Sequence, residues 1–388
     1  MKHPDEDTVI HTAEESVSTG SAPIYSPAAG SVPAAGSVPE AKAPIPAPPL
    51  AVPEAAAAAE SARQIAAAAA APTASSPQSA PKAAAPRSSA LAGLADTPLA
   101  RELSEITRRR RALEAEVLPL PEKTRIFTIA NQKGGVGKTT TTVNLAAALA
   151  KNGARVLVID LDPQGNSSTA LGIDHRSETI SVYDVIVNDV PMADVIKKSP
   201  EPGELYCLPA TIHLAGAEIE LVSLVAREQR LRSALETFLA ESSDPFHYVF
   251  VDCPPSLGLL TINAFVAADE VLIPIQCEYY ALEGLSQLLS NIKLIEKHLN
   301  PRLTVSTILL TMYDSRTNLS NQVADDVRAH FPDQVLNTPI PRSVRISEAP
   351  SFGLSVISYD TNSPGSISYL EAAAEIARRG APAATKAS

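Results

Sequence analysis

The sequence is poor in cysteine and in aromatic residues. Tryptophan is absent, and three cysteines, Cys207, Cys253 and Cys277, occur in 388 residues. They lie far apart without a C-x-x-C spacing, which argues against a zinc site and against a disulfide framework. So few cysteines are typical of the reducing cytosol. Cys253 follows an aspartate at the end of an apolar run, where packing is a better explanation than chemistry.

Long apolar runs are also missing. No stretch reaches the roughly 18 uninterrupted apolar residues that a membrane-spanning helix needs. The first residues, MKHPDEDTVIHTAEE, are acidic and lack the apolar core of a signal peptide. The last residues, RRGAPAATKAS, lack the apolar face of a membrane-binding helix. We therefore expect no membrane partner.

Large apolar side chains are scarce in residues 1–97. Ala, Pro, Ser and Gly dominate this segment, and it contains the repeat SVPAAGSVP. Such a composition cannot bury enough apolar surface to offset the entropy of ordering the chain. We predict that residues 1–97 form a disordered tail.

Residues 98–122 have a different character and predict a short basic helix followed by a linker. Thr97 and Pro98 suit a helix start, and Pro119 and Pro121 suit its end. Apolar residues recur at helical spacing, interrupted by Arg110, at Leu99, Leu103, Ile106, Leu113 and Val117. The arginine run 108–111 is either a solvated face or a surface for DNA phosphates or a partner.

Residues 123–388 predict one α/β domain. Apolar runs at 126–130, 155–160, 248–252, 270–275 and 303–312 alternate with helical patterns over 211–240, 281–299 and 319–330. This alternation predicts a mostly parallel, doubly wound sheet with helices on both faces. Ligands of such sheets bind at the carboxyl ends of the strands.

The most specific motif is KGGVGKTT, Lys133 to Thr140, between a predicted strand and a predicted helix. It is a phosphate-binding loop of the pattern G-x-x-x-x-G-K-[ST], whose backbone N–H groups surround phosphates. Lys138 would reach the β- and γ-phosphates, and Thr139 would hold Mg²⁺ through its hydroxyl. The nucleotide-binding set comprises Lys133, Gly134, Gly135, Val136, Gly137, Lys138, Thr139 and Thr140.

Three aspartates follow predicted strands at the same edge of the sheet. Asp160 and Asp162 stand in DLDPQGN, and Asp252 stands in VFVDCPPS. Hydrolysis of a γ-phosphate requires charge neutralisation and a positioned water, which lysines, Mg²⁺ and a carboxylate supply. Asp162 is a candidate for that carboxylate, although Asp before Pro163 is also a common turn dipeptide.

The lysine at the first loop position, these aspartate motifs and PRSVRISEAPSFG at 341–353 together resemble the ParA/Soj-type partition ATPases. These belong to the deviant Walker A group, which also contains the MinD-like membrane ATPases. The resemblance covers about residues 123–380. It implies ATP and Mg²⁺ as cofactors and an ATP-dependent homodimer in which Lys133 reaches the nucleotide of the second subunit. It also implies that Asp162 orients the attacking water, while Asp252 with Thr139 holds the Mg²⁺ shell and Asp160 supports that site.

The resemblance further implies binding to double-stranded DNA without sequence preference, and stimulation by a ParB-type centromere-binding protein. The chain is acidic, with a net charge of −11. In residues 124–388, 21 basic and 29 acidic side chains give −8. DNA binding therefore needs a local basic patch. Arg316 and Arg345 match DNA-binding positions of the family, whereas Arg342, Met312 and Pro341 are expected near the adenine.

Three relatives of other function resemble this sequence less. A MinD-like positioning ATPase, the alternative function, would carry an amphipathic C-terminal helix. Iron-protein relatives need cysteines that share a cluster between subunits. An amidotransferase such as a cobyrinic acid synthase would need a further domain with a nucleophilic cysteine. We therefore expect a cytoplasmic, nucleoid-associated partition ATPase.

Overall fold

The computed structural model describes residues 98–279 and 281–381. The tail predicted over 1–97 lies outside these residues. The centre of the described part is a seven-stranded sheet with the order β3-β4-β2-β5-β1-β6-β7. Its strands are β1 (Arg125–Ile129), β2 (Arg155–Asp160), β3 (Lys197–Lys198), β4 (Glu204–Leu208), β5 (Tyr248–Asp252), β6 (Glu270–Gln276) and β7 (Thr304–Thr311).

Only the short edge strand β3 is antiparallel to its neighbour, β4. Every other pairing in the sheet is parallel. The predicted fold class, a mostly parallel doubly wound sheet, is therefore confirmed. The five predicted strands correspond to β1, β2, β5, β6 and β7, whereas β3 and β4 lie between predicted elements.

Helices cover both faces of the sheet. They are α1 (Pro98–Ala115), α2 (Lys138–Lys151), α3 (Asn166–Ala170), α4 (Val182–Val187), α5 (Met192–Val195), α6 (Leu214–Leu221), α7 (Arg230–Glu241), α8 (Leu259–Ala267), α9 (Ala281–His298), α10 (Asn318–His330), α11 (Val344–Glu348), α12 (Val356–Tyr359) and α13 (Pro364–Arg379), with a 3₁₀ turn at Ala349–Phe352.

The continuous helix predicted over 211–240 is wrong. The chain instead forms α6 and α7, separated by residues 222–229. Within this connection Ala226 has a positive φ of 53°. That conformation is unfavourable for alanine and incompatible with a continuous right-handed helix.

Two apolar cores explain the strand sequences. Ile126 of β1 belongs to the core on one face of the sheet, and Phe127 and Ile129 belong to the core on the other. Because side chains alternate along a strand, a strand buried on both faces must be apolar throughout. On the second face, the alanine-rich helix α2 packs closely against α13.

Helix α1 lies along α13. Arg109 forms a two-pronged ion pair with Glu371 of α13, with an Nε–Oε1 distance of 2.7 Å. Arg378 of α13 pairs in the same manner with Glu116, which follows α1. Leu113 packs against the core and Leu118 is buried in it. The basic segment is therefore attached to the α/β domain at both ends of this contact.

In the part of the chain that the structure describes, no helix combines the length and the apolar character required to cross a membrane.

Candidate nucleotide-binding site

The phosphate-binding loop connects β1 to α2. Gly135 and Gly137 have φ values of 74° and 88°, which favour glycine over residues with a Cβ atom. The first backbone hydrogen bond of α2 is donated by Thr141 N to Gly137 O at 2.8 Å. The amides of Lys138, Thr139 and Thr140 therefore precede the intrahelical ladder, and Gly137 offers no side-chain cap. This helix N-terminus is suited to binding an anion.

Lys138 lies inside the loop. It is 8% exposed, and its Nζ lies 3.5 Å from Lys133 O across the loop. Burial lowers the pKa of this lysine, while Asp252 and Asp162 are among the groups that oppose the shift. A partly desolvated ammonium in this position gains most from binding a phosphate.

Lys133 points elsewhere. Its Nζ forms an ion pair of 2.8 Å with Glu278 Oε2, and its side chain is 41% exposed. The loop itself is held by Asn131, whose Oδ1 accepts from Lys133 N and whose Nδ2 donates to Pro274 O. The second lysine of the motif is thus at the rim of its own loop, where it remains accessible to another molecule.

Asp160 and Asp252 end two neighbouring strands and face each other in register. Both are fully buried, and burial raises the pKa of each carboxyl above its ordinary value. Hydrogen bonds from the Thr139 and Ser167 hydroxyls to Asp252 oppose the shift. Asp252 and Thr139 therefore lie together, as joint binding of Mg²⁺ would require.

Asp160 is surrounded by protein donors. Its Oδ2 accepts from Ser168 N at 2.8 Å and from Ser168 Oγ at 2.7 Å, and its Oδ1 accepts from Asp162 N at 3.2 Å. These bonds fix the start of the loop that carries Asp162. The geometry favours support of that loop over direct contact with an ion.

Asp162 is partly exposed at the same edge of the sheet. Its Oδ1 accepts from Gln164 N at 2.9 Å, which is the turn arrangement expected before Pro163. The turn interpretation and the catalytic interpretation are therefore compatible. The charge of Asp162 contributes to the pKa of both Lys138 and Asp252, so the three groups share one site.

The segment proposed for the adenine borders the loop. Thr311 at the end of β7 donates from Oγ1 to Val136 O at 2.9 Å. Met312 then has a positive φ of 50°, a strained conformation for a residue with a side chain. Tyr313 pairs with Pro341, and Arg342 N donates to Tyr313 O at 3.2 Å. Met312, Pro341 and Arg342 thus lie together beside the phosphate-binding loop (P-loop).

The two candidate DNA-binding arginines are exposed but paired. Arg316 forms a two-pronged ion pair with Asp314, at 2.9 and 2.8 Å. Arg345 forms two ion pairs, from Nη1 to Glu348 Oε2 at 3.0 Å and from Nε to Asp360 Oδ2 at 3.4 Å. The charge of Arg342 also acts on Asp314. Asp314 therefore lies within the electrostatic influence of both Arg316 and Arg342.

Several residues that shape the site were missed from the sequence. Ser167 donates to Asp252 Oδ2 at 2.8 Å, and Ser168 binds Asp160. In the sequence, only their position directly after DLDPQGN indicates that Ser167 and Ser168 belong to the site. Glu278, the partner of Lys133, has no local signal because the two residues are 145 positions apart.

The donor set fits Mg²⁺ bound together with phosphates. Among residues 98–279 and 281–381, no group of three or more His, Cys, Asp or Glu side chains is arranged to hold an ion. Mg²⁺ prefers one or two carboxylates with substrate phosphates and water. Thr139 and Asp252 supply such a partial set.

A family model described as an AAA domain matches residues 124–305. The sporulation initiation inhibitor protein Soj of Bacillus subtilis (strain 168) is 54% identical over 256 residues, which are 66% of this chain and 99% of that protein. The chromosome partitioning protein ParA of Caulobacter vibrioides (strain NA1000 / CB15N) is 53% identical over 255 residues, 66% of this chain and 94% of the relative.

Among solved structures, the fold is similar to a cobyrinic acid a,c-diamide synthase from Mycobacterium smegmatis with bound ATP analog and magnesium. That chain is 41% identical, with a TM-score of 0.52 over 59% of this chain and 93% of that one. The near-complete coverage of Soj and ParA includes the P-loop and the aspartate edge described above. This chain therefore belongs to the ParA/Soj family of chromosome-partitioning ATPases.

Proposed function

We propose that this chain binds ATP with Mg²⁺, dimerises in the ATP-bound state and then binds double-stranded DNA without sequence preference. A ParB-type centromere-binding protein stimulates its weak hydrolysis and so drives segregation of a chromosome or plasmid origin. The observation that carries the proposal is the cluster of Lys138, Thr139 and Asp252 at the uncapped N-terminus of α2.

Each part of the site has a role in this proposal. The amides from Gly134 to Thr140 and the Lys138 ammonium bind the phosphates. Thr139 and Asp252 hold the Mg²⁺ shell, with Asp160 in support. Met312, Pro341 and Arg342 border the adenine.

Asp162 orients the attacking water in this proposal. Its backbone is fixed by Asp160, and its carboxylate lies at the open edge of the site. Phosphoryl transfer depends on positioning and on charge stabilisation, so one well-placed carboxylate suffices for the water.

Lys133 makes the site depend on a second copy. Its side chain is exposed and pairs with Glu278, while Lys138 alone lies inside the loop. When two copies meet across the nucleotides, Lys133 exchanges Glu278 for the phosphates of the partner copy. The γ-phosphate then selects the assembled state, and hydrolysis releases it.

Two alternative functions are less well supported. All three cysteines are buried, and burial raises the pKa of Cys277 to about 11 and those of Cys207 and Cys253 well above the ordinary value. None is an activated nucleophile for an amidotransferase. The apolar face of α13 is buried in the domain, so this helix is not a MinD-like membrane anchor.

The test is the assembly state of the full chain, measured by light scattering with ATP and Mg²⁺, with ADP and without nucleotide. We expect a dimer with ATP and Mg²⁺ but not with ADP or without nucleotide. Only this dimer should bind DNA, and it should bind two unrelated duplexes with equal affinity. Lys138→Ala serves as the nucleotide-binding control and should stay monomeric. A parent chain that remains monomeric with ATP, or that distinguishes the duplexes, would contradict the proposal.

A further inference from the structure

Helix α1 lies before residue 124, where the match to the AAA domain begins. Its basic run, Arg108 to Arg111, has no role in the nucleotide site described above. The structure divides these arginines between two sides of the helix. One side docks α1 onto α13, the other faces solvent, and Arg110 lies at the border, half-buried and bonded to Asn362.

The docking side uses Arg109. Its guanidinium binds both carboxylate oxygens of Glu371, and the ion pair between Arg378 and Glu116 fixes the end of the same contact. Leu113 packs against the core between these two pairs. The orientation of α1 is therefore set by contacts that do not involve Arg108 or Arg111.

The outer side is basic and hydroxyl-rich. Ser104, Thr107, Arg108 and Arg111 are spaced i, i+3, i+4 and i+7, and all four are exposed and line one shallow surface recess. Arg108 pairs with Glu105 one turn away, with a side chain that is 77% exposed. Exposed pairs of this kind are weak and can exchange for another anion. Arginine with serine and threonine hydroxyls is the usual set that contacts nucleic-acid phosphates.

Arg110, three residues after Thr107, borders this outer side of α1 and lies toward a candidate DNA-binding residue, Arg345. Arg110 donates to Asn362 Oδ1, and Arg345 pairs with Asp360. Asp360 and Asn362 are two residues apart, so their Cα atoms are separated by at most ~7 Å. Arg110 and Lys151 also line one recess with Thr361. Arg110 of α1 and Arg345 thus approach the same short segment.

We propose that Ser104, Thr107, Arg108 and Arg111, called here the α1 basic face, form a binding surface for the phosphate backbone of duplex DNA, and that Arg110 connects this face to the patch around Arg345. The inference rests on the proposed function, because it adds a surface to the same DNA-bound state. Continuity with Arg345 favours DNA over an anionic membrane or an acidic protein. In an acidic domain, a local surface of this kind supplies the positive charge that the domain as a whole lacks.

The test compares the full chain with the variant R108Q/R111Q. Glutamine keeps the helix propensity and a polar side chain but removes the charge. Neither residue docks α1, so the urea unfolding midpoint and ATP-dependent dimerisation should match the parent. DNA affinity with ATP should fall tenfold or more at 0.1 M salt, since each lost phosphate contact costs about eightfold there. The slope of log K against log salt should decrease in magnitude by about 0.9 per lost contact.

Arg176→Gln is the matched control. Arg176 is an exposed arginine, 84% accessible, that also pairs with a nearby carboxylate, Asp174, but lies on a loop after α3. Its loss should leave affinity and slope unchanged. If Arg176→Gln reduces DNA affinity as much as R108Q/R111Q does, the loss comes from the net charge of the chain and not from the α1 basic face, and the inference is wrong.

The remaining outcomes separate the two proposals. A parent chain that binds no duplex with ATP overturns both. A parent that binds, with R108Q/R111Q retaining its affinity and slope, overturns only the α1 inference. If R108Q/R111Q binds DNA as the parent does but no longer sediments with phosphatidylserine vesicles, the α1 basic face is a membrane-binding surface and the DNA inference is wrong.

Discussion

Lys133 and Lys138 occupy the two ends of one loop but differ in surroundings. Lys138 is buried with a lowered pKa, whereas Lys133 is exposed and paired with Glu278. Lys138→Ala should therefore weaken ATP binding itself, because its ammonium neutralises the phosphates in its own copy. Lys133→Ala should bind ATP nearly as the parent does but fail to dimerise. Nucleotide titration and light scattering separate these effects, and a Lys133→Ala chain that dimerises normally rules out its role across the interface.

In the proposed dimer, Glu278 would compete with the partner's nucleotide for Lys133. Their exposed ion pair contributes at most about 1 kcal/mol, as surface pairs do. Glu278→Gln should remove this competition and tighten the ATP-dependent dimer by up to about fivefold for each of its two copies. Dimer dissociation constants measured with ATP check the prediction. A weaker dimer would show that Glu278 itself contributes to the interface.

Asp162 differs from Asp160 and Asp252 in being partly exposed at the edge of the site. Asp162→Ala should still bind ATP and Mg²⁺, since the other ligands remain, and should accumulate as a persistent dimer on DNA. Hydrolysis should fall by roughly 10² or more if this carboxylate positions the water. Phosphate release and light scattering on one sample give both quantities. Failure to dimerise with ATP would make Asp162 a structural turn residue only.

At the level of elements, the segment 341–354 connects the nucleotide site to the proposed DNA surface. Pro350 and Leu354 line a recess with Thr139, Thr140 and Asn166, which belong to the P-loop helix and the start of α3. Arg345 lies on α11 in the same segment. A change at the γ-phosphate is therefore adjacent to the element that carries a candidate DNA contact.

The turn between β3 and β4 tests how closely the elements are packed. Gly203 has a φ of 95°, and a Cβ atom there would lie 2.3 Å from Ala150 O at the end of α2. Gly153 has a similar φ of 92° but no atom within 4 Å. Gly153→Ala should cost about 1 kcal/mol of stability from backbone strain alone. Gly203→Ala should cost about 3 kcal/mol or more, since the backbone of α2 must move as well. Equal losses in urea unfolding would contradict the steric assignment.

The sequence predicts buried, uniformly apolar strands better than strands that contain exposed or polar residues, such as β3 and β4. The strands β1, β2, β5, β6 and β7 are buried apolar runs, and their pattern is visible without tertiary information. Strand β3 has two residues, Lys197 and Lys198, and owes its existence to pairing with β4. The break between α6 and α7 at Ala226 is equally invisible, since apolar residues continue on both sides.

At the level of the whole molecule, the sequence predicts the candidate nucleotide-site residues but not the side chains that position them. Lys138, Thr139, Asp162 and Asp252 follow from motifs whose spacing is local. Their supports come from distant segments, as with Ser167 beside Asp252 and Glu278 beside Lys133. Long-range pairs of this kind depend on strand order and register, which no local pattern encodes.

The acidity of the whole molecule gives the sharpest test of DNA binding. With a net charge of −11, the chain would need local arginines for the proposed binding of DNA phosphates. Arg316→Glu and Arg345→Glu should each weaken ATP-dependent binding to unrelated duplexes to a similar degree, because phosphate contacts carry no base information. Dimerisation and basal hydrolysis should stay near the parent values, since neither arginine is a proposed nucleotide ligand.

The salt dependence decides whether these arginines touch phosphates. Each lost contact should reduce the magnitude of the slope of log K against log salt by about 0.9 per subunit on B-DNA. Both arginines already form ion pairs, Arg316 with Asp314 and Arg345 with Glu348 and Asp360. Breaking these pairs offsets part of the free energy that each arginine gains from a DNA phosphate. Asp314→Asn should therefore raise affinity while leaving the slope set by Arg316 in place. If the double arginine variant keeps the parental affinity and slope, the contacts lie elsewhere, and the α1 basic face becomes the principal DNA surface.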